Sequence, residues 1–98
     1  MQMLIFNEQE FTDWVLHVAN TYGWLAYHTY DSTGSVPGFP DLVMLKPTRR
    51  IIFAELKMPH GTFTEHQIHW KVALEQHPDV DYYVWQPTDW AMILHTLH

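Results

Sequence analysis

The sequence contains no cysteine, and basic residues are scarce in it. Its 98 residues include five Lys and Arg against eleven Asp and Glu, a formal net charge of −6 with His neutral. Without cysteine there is no disulfide framework and no thiolate metal site, which suits a reducing compartment. Phosphate backbones are bound chiefly by Lys and Arg, so the acidic balance argues against a simple nucleic-acid binder. Affinity for DNA is therefore expected to be weak, or to depend on substrate shape, a dimer or a partner.

Long apolar runs are also missing. No stretch approaches the roughly 20 apolar residues of a transmembrane helix, and the opening MQMLIF is too short for a secretory signal and lacks a basic segment. No internal repeat and no low-complexity tract are present. A hydrophobic fraction of 47%, with five each of Trp, Tyr and Phe, is instead typical of a single packed domain, expected over residues 1–98. A soluble intracellular protein is the expectation.

Two apolar runs on either side of a turn predict a β-hairpin in the middle of the chain. Residues 41–45 and 51–57 flank the turn segment KPTRR. With the turn centred on its threonine, antiparallel pairing places Asp41 opposite Glu55, and alternation brings Lys57 to the same face. The spacing therefore predicts that these three side chains meet at the open end of the hairpin. The opposite face is predicted to be apolar and consists of Leu42, Met44, Ile52, Ala54 and Leu56.

Two interpretations of this charged cluster stay open on its chemistry alone. Asp and Glu oxygens are ligands of hard divalent cations such as Mg²⁺, which activate a bound water. A neighbouring lysine can orient that water or balance charge that develops on a phosphate. The alternative is a salt bridge at the sheet edge, between Lys57 and Asp41 or Glu55, with little energetic consequence.

A helix is predicted before the hairpin, over residues 7–22. Apolar residues recur there at helical spacing, and Asn7 and Glu10 have the spacing of a capping box. Glu10 therefore has a structural explanation. Glu8 lies on the inward face near the helix start, where the helix dipole by itself favours a carboxylate.

Further elements complete an α/β fold. Strands are predicted over residues 24–30 and 81–86, and helices from a Thr64 cap to residue 76 and from a Thr88 cap to residue 97. The resulting order is αβββαβα. Because both faces of the hairpin are apolar away from the charged cluster, helices are expected to cover both sides of the sheet.

Several motifs together resemble one nuclease family. The pair Pro40 and Asp41, followed by ELK at residues 55–57, resembles the PD-(D/E)xK nucleases. The fuller string GFPD…FAELK…GTFTEHQIHW…YYVWQPTDW resembles the VRR-NUC domains, the virus-type replication-repair nucleases. This resemblance covers nearly the whole chain. It implies a restriction-endonuclease-like core with a mixed sheet flanked by helices, and a metal-dependent DNA endonuclease.

The resemblance also implies roles for individual residues. Asp41 and Glu55 would bind Mg²⁺ or Mn²⁺, with the Leu56 backbone carbonyl as an additional ligand. Lys57 would position or deprotonate the attacking water. Glu8 matches an acidic position that faces the active site, which makes it a further catalytic and metal-binding candidate.

Gln67 is the last candidate catalytic residue, and two roles compete for it. With Thr64 it has the spacing of a capping box at the start of the second helix. The resemblance implies an active-site amide at the same position. Both roles are compatible, because a side chain in the first turn of this helix lies beside the loop that follows Lys57.

Stand-alone VRR-NUC domains resemble Holliday-junction resolvases. This implies a homodimer that acts on branched DNA in replication or repair, in the cytoplasm of a bacterial or phage-infected cell. Tyr30, Phe39 and Trp70 are candidates either for the dimer interface or for the core.

Two other functional classes compete with a nuclease. One is a non-catalytic or partner-dependent module that binds DNA or protein on a nuclease fold, which the acidic balance favours and the intact acidic pair with its lysine disfavours. The other is an enzyme acting on small phosphorylated molecules, but the sequence has no Gly-rich phosphate loop that opens a helix.

Other polar residues carry weaker signals. Arg49 and Arg50 lie at the hairpin tip, roughly 20 Å or more from Asp41 at ~3.3 Å per residue, which favours solubility or contact with a distal DNA arm. A dedicated zinc site is not expected, because no fourth ligand with fixed spacing is evident. The roles of four histidines stay open: His28, His60, His66 and His69.

Overall fold

A computed structural model describes residues 7–29 and 34–98 of the protein. The elements, in chain order, are α1 (Glu8–Thr21), β1 (Leu25–His28), β2 (Leu42–Leu45), β3 (Ile51–Leu56), α2 (Glu65–Gln76), β4 (Val80–Trp85), a 3₁₀ turn (Pro87–Asp89) and α3 (Trp90–Leu97). The predicted order αβββαβα is confirmed. None of the helices in the described part of the chain has the length and apolar character needed to cross a membrane.

The strands form one mixed sheet with the order β1-β2-β3-β4. Strand β2 pairs antiparallel with β1 and with β3, whereas β3 and β4 are parallel and are connected through α2. The hairpin register is the predicted one, since Val43 lies opposite Phe53 and Met44 opposite Ile52. Thr48 at the tip has a φ of 66°, which lets the chain reverse within the short turn.

The core lies on the face of the sheet that α1 and α3 cover. All five residues predicted for the apolar face of the hairpin are at most 2% exposed. Phe11 and Val15 of α1, with Ile93 and Leu97 of α3, are fully buried in the same cluster. Burying each of these larger side chains contributes roughly 1.5–3 kcal/mol. This packing gives the hairpin a rigid support on one side.

The second face of the sheet carries the polar residues of the hairpin, and α2 covers only its β3–β4 half. The ring of Phe39 packs edge-on against Trp70, at 5.0 Å between centroids, and against Phe53 at 6.1 Å. Leu25 and Tyr27 of β1, on the same face, remain 76% and 63% exposed. Phe39 and Trp70 therefore pack within the chain. Tyr30, the third aromatic candidate for an interface, lies outside the described residues.

Several predicted boundaries differ from the structure by one or two residues, and two of these differences have a clear physical cause. Trp24 precedes β1 and belongs to the core at 2% exposure, where its indole N–H donates to the carbonyl of Leu97 at 2.8 Å. Thr88 does not cap the last helix. Pro87 starts a 3₁₀ turn before α3, as suits its fixed φ, and the Asp89 carboxylate accepts the N–H of Gln86 at 2.9 Å.

Arg49 and Arg50 have structural partners at the hairpin tip. The Arg49 guanidinium donates to the backbone carbonyls of Thr96 and His98, at 2.8 and 3.2 Å, where α3 ends. Positive charge is favourable at a helix C-terminus. Arg50 forms an ion pair with Asp81 at 3.0 Å. These contacts connect the tip to α3 and β4, a role that the sequence did not indicate.

Candidate active site

The backbone ladder of the hairpin ends at Leu42 and Ala54, and the side chain of Asp41 extends it. Its Oδ2 accepts the backbone N–H of Leu56 at 2.8 Å. The hydrogen bond holds the Asp41 carboxyl group beside that of Glu55, and the two side chains are within hydrogen-bond contact. The structure therefore brings together the two carboxylates that the sequence placed opposite each other.

Glu55 is a buried acid in an unfavourable setting for negative charge. It is 2% exposed, although it lies at the end of a strand. Burial first, and then the hydrogen bond and charge of Asp41, raise the pKa of Glu55 to about 9. The positive charge of Lys57 lowers the pKa of Glu55, and the negative charge of Glu8 raises it further. Near neutral pH the acidic pair therefore retains a proton unless a cation compensates its charge.

Lys57 lies beside the two carboxylates without an ion pair to either. Among the described residues, no nitrogen–oxygen distance of 4.0 Å or less joins it to Asp41 or Glu55. Its Nζ instead donates to the carbonyl of Thr62 at 2.8 Å and to Oε1 of Gln67 at 2.9 Å. The salt-bridge interpretation of the cluster is therefore wrong in this structure. The ammonium group is held by neutral partners next to the acidic pair.

The loop of residues 58–63 surrounds the Lys57 side chain. The Phe63 ring centroid lies 4.8 Å from Nζ, a cation–π contact. Gly61 packs against the methylene stem, because a Cβ there would lie 3.4 Å from Lys57 Cδ and 3.0 Å from the Met58 carbonyl. His60 has a φ of 70°, a conformation that costs on the order of 1 kcal/mol for a non-glycine residue. The loop thus fixes the direction of the lysine.

Gln67 completes the predicted cap of α2, and its side-chain amide also contacts Lys57 and Glu55, while its catalytic role stays a prediction. Its Oε1 accepts the backbone N–H of Thr64 at 2.9 Å, and the Thr64 hydroxyl accepts the N–H of Gln67, which completes the capping box of α2. The same oxygen accepts from Lys57, while Nε2 donates to Glu55 Oε1 at 3.4 Å. The amide of Gln67 therefore connects the lysine with the buried acid.

Glu8 lies close enough to act on the site by its charge, but it is not part of the contact pair. It stands at the exposed start of α1 and contributes to the raised pKa of Glu55. Within residues 7–29 and 34–98, no three or more His, Cys, Asp or Glu side chains lie close enough to hold a metal ion. The structure therefore does not place Glu8 in one ligand set with Asp41 and Glu55, and its metal-binding role stays a prediction.

The histidines do not gather into a site either. Of the four histidines whose roles stay open, His28 is half-buried at the end of β1. The other three are exposed, namely His60 in the loop after β3 and His66 and His69 on α2. None belongs to a cluster of potential metal ligands in the described part of the chain. Their roles remain open.

Two neighbours of the site escaped the sequence reasoning. Phe63 lies in a loop, and its position over Lys57 depends on the fold of that loop. Tyr82 lies opposite Phe53 in the parallel pair, and burial, together with the charge of Glu55, raises the pKa of its phenol. Strands β3 and β4 are separated in the sequence by α2, so their register cannot be derived from the length of a turn. No local pattern therefore indicates that Tyr82 lies near the site.

Comparison with known proteins identifies the fold. No protein-family model and no curated protein matches the sequence. Among solved structures, one described as a VRR-NUC domain is similar, with a TM-score of 0.72. The likeness covers 93% of this chain and 97% of that one, at 17% sequence identity. The fold is that of a VRR-NUC domain.

The donor atoms at the open end of the hairpin suit a divalent cation within this VRR-NUC fold. The contact pair offers carboxylate oxygens and no sulfur or nitrogen, which is the chemistry preferred by Mg²⁺ and Mn²⁺. Two carboxyl groups in contact, one of them buried, cannot both ionise without compensation, and Lys57 does not neutralise either directly. A divalent cation would provide that compensation, so the chemistry of Asp41 and Glu55 fits a site for such an ion.

Proposed function

We propose that the protein is a metal-dependent DNA endonuclease that hydrolyses phosphodiester bonds. The observation that carries this proposal is the buried acid Glu55, in contact with Asp41 and beside an ammonium group held by neutral partners. Such an arrangement is costly for a purely structural purpose, since burying a carboxylate without a partner cation opposes folding. A metal-dependent hydrolytic site can use all three groups, because carboxylates bind the cation and an ammonium group stabilises charge that develops on the phosphate.

Asp41 and Glu55, with the Leu56 backbone carbonyl, would hold Mg²⁺ or Mn²⁺, and Glu8 is a further candidate ligand. A bound divalent cation supplies an activated water and stabilises the charge of the phosphate. Gln67 orients Glu55 through Nε2 and Lys57 through Oε1.

Lys57 has one N–H left for the reaction. An ammonium group has three donors, and two of them are engaged by the carbonyl of Thr62 and the amide of Gln67. The third N–H has no hydrogen-bond partner in the described part of the chain, so it can bind a water or a phosphate oxygen. As an ammonium group, Lys57 would in this way position the attacking water and stabilise developing negative charge. Accepting the proton of that water would instead require the neutral amine.

The proposed substrate is branched DNA, such as a Holliday junction, cut by a homodimer. Four of the five basic residues have hydrogen-bond or ion-pair partners within the chain, namely Arg49, Arg50, Lys57 and Lys71, so few remain to bind a plain duplex. Two copies on one branched molecule would compensate for weak contacts of each. The exposed Leu25 and Tyr27 offer an apolar surface to a second copy. The proposed setting is replication or repair in the cytoplasm of a bacterial or phage-infected cell.

The test compares cutting of labelled four-way junction, flap and linear duplex DNA in Mg²⁺, Mn²⁺ or EDTA. We expect metal-dependent cutting by the wild type and a loss of at least roughly 100-fold in Lys57→Ala. The matched control is Lys71→Ala, because Lys71 pairs with Glu75 at 2.6 Å on α2 and has no contact with the acidic pair. It should cut like the wild type.

A second candidate function is a partner-dependent or non-catalytic binding module on the same fold. The observation that favours it is the net charge of −6 with most basic side chains engaged internally. Absence of cutting on every substrate by a folded protein that binds the metal would support this alternative over the nuclease.

A further inference from the structure

Thr29 extends the pairing of β1 with β2 by one residue toward the site. Its backbone N–H donates to the carbonyl of Asp41 at 2.8 Å, which continues the register that places His28 opposite Leu42. Side chains alternate along a strand, and directly opposed residues share a face. The Thr29 side chain therefore lies in the same row as Asp41 and Glu55.

The hydroxyl of Thr29 has no structural explanation in its surroundings. Its Oγ1 is buried, and no hydrogen-bond partner for it exists among the described residues. A buried hydroxyl without a partner opposes folding, whereas valine has almost the same shape and no polar atom to satisfy. Thr12 and Thr21 of α1 provide a contrast, because their hydroxyls donate to carbonyls one turn earlier, at 2.9 and 2.8 Å. Packing alone does not account for a threonine at position 29.

The carboxyl pair by itself is a sparse ligand set. Mg²⁺ prefers six oxygens, some from water, and no third acidic or histidine side chain joins Asp41 and Glu55 within the described ranges. A hydroxyl in the same row is a suitable additional oxygen, or a partner for a water bound to the ion. Residues of this kind orient the ligands of a metal and raise its affinity.

We infer that Thr29 is a further residue of the divalent-cation site, whose buried hydroxyl binds the ion directly or through a water of its shell. The inference rests on the proposed function, because it requires that Asp41 and Glu55 bind a cation. It goes beyond that function by adding a residue from β1 to a site otherwise built from the hairpin and α2. It also predicts that the hydroxyl benefits the protein only when a cation is bound.

The experiment measures Mn²⁺ binding to the full chain by electron paramagnetic resonance, together with the thermal unfolding midpoint in EDTA. We expect Thr29→Val to bind Mn²⁺ at least ~10-fold more weakly than the wild type. Thr29→Ser, which keeps the hydroxyl, should remain within about 3-fold. In EDTA, Thr29→Val should unfold at the same temperature as the wild type or higher. Thr21→Val, which removes an exposed hydroxyl far along α1, should leave Mn²⁺ binding unchanged.

The outcomes separate this inference from the proposed function. Equal Mn²⁺ affinity of the wild type and Thr29→Val would overturn the role of Thr29 while leaving the carboxylate site in place. A Thr29→Val protein that is unfolded or clearly less stable in EDTA would also overturn it, since the hydroxyl would then have a structural task. A wild type that binds no Mn²⁺ would overturn both.

Discussion

The side-chain amide of Gln67 joins Lys57 to Glu55. Its oxygen accepts from Lys57 Nζ at 2.9 Å, and its nitrogen donates to Glu55 Oε1 at 3.4 Å. The same oxygen caps the first turn of α2 through the N–H of Thr64. The start of this helix and the proposed site therefore form one hydrogen-bonded network, so that a change at Gln67 affects both.

Substitutions at Gln67 should separate the cap from the site. Gln67→Ala removes the cap of α2 and the contacts with Lys57 and Glu55. It should lower the free energy of unfolding by about 1 kcal/mol and the cutting rate by roughly 10- to 100-fold. Gln67→Glu keeps an oxygen that can accept the N–H of Thr64, because Glu is equally suited to this place in a capping box. The free energy of unfolding of Gln67→Glu should therefore stay within about 0.5 kcal/mol of the wild-type value. Its cutting should be poor, since it places a third carboxylate beside Glu55. Urea unfolding and a nicking assay measure the two effects. Wild-type cutting by Gln67→Glu would reduce Gln67 to a helix cap.

Phe63 should control the orientation of Lys57. Phe63→Leu removes the ring face that lies 4.8 Å from Nζ, with an expected loss of roughly 0.5–1 kcal/mol of stability and a reduced cutting rate at saturating DNA. Phe63→Tyr keeps an aromatic face and should restore both. The independent measurement is the upfield ring-current shift of the Lys57 Cε protons by NMR. If Leu and Tyr at this position gave the same shift, the cation–π contact would have no role.

The metal-free protein should lose stability as the pH rises. Glu55 has a pKa of about 9 in the folded chain and 4.5 as its ordinary value, so between these pH values only the folded state holds the proton. The free energy of unfolding should then fall with pH across this window, by up to about 1.4 kcal/mol per unit from this group.

Glu55→Gln is the matched variant for this pH dependence. It mimics the protonated acid, so in EDTA near pH 8 it should be more stable than the wild type and lack that part of the slope. Mg²⁺ should stabilise the wild type at this pH and leave Glu55→Gln unchanged, because the cation needs the ionised carboxylate. Denaturant titrations at several pH values measure these effects. Equal slopes for the two proteins would show that burial of Glu55 does not perturb its titration.

Arg49 should matter for stability and not for cutting. Arg49→Ala removes the donors to the carbonyls of Thr96 and His98 at the end of α3. The free energy of unfolding should fall by only about 1 kcal/mol, because exposed polar contacts contribute little to stability. Cutting per folded molecule should equal that of the wild type. A large loss of DNA binding in Arg49→Ala, at wild-type stability, would instead assign the hairpin tip to the substrate.

Much of the fold was predictable because its determinants are local. The turn and the alternation of side chains set the hairpin register, and with it the meeting of Asp41 and Glu55. The capping box of Thr64 and Gln67 involves residues only three positions apart, and side chains at that distance meet whenever the helix forms. These features follow from the sequence by itself.

Only the tertiary structure decided the electrostatics and the long-range contacts. Spacing could not tell whether Lys57 forms a salt bridge with the acids or binds Thr62 and Gln67, because the loop after β3 determines the direction of its side chain. The burial of Glu55 and its raised pKa depend on the elements packed around it. Arg49 meets a carbonyl 47 residues away for the same reason. The hairpin register and the helix cap depend on residues that are close in the sequence. Burial and charge compensation arise only when distant segments pack together.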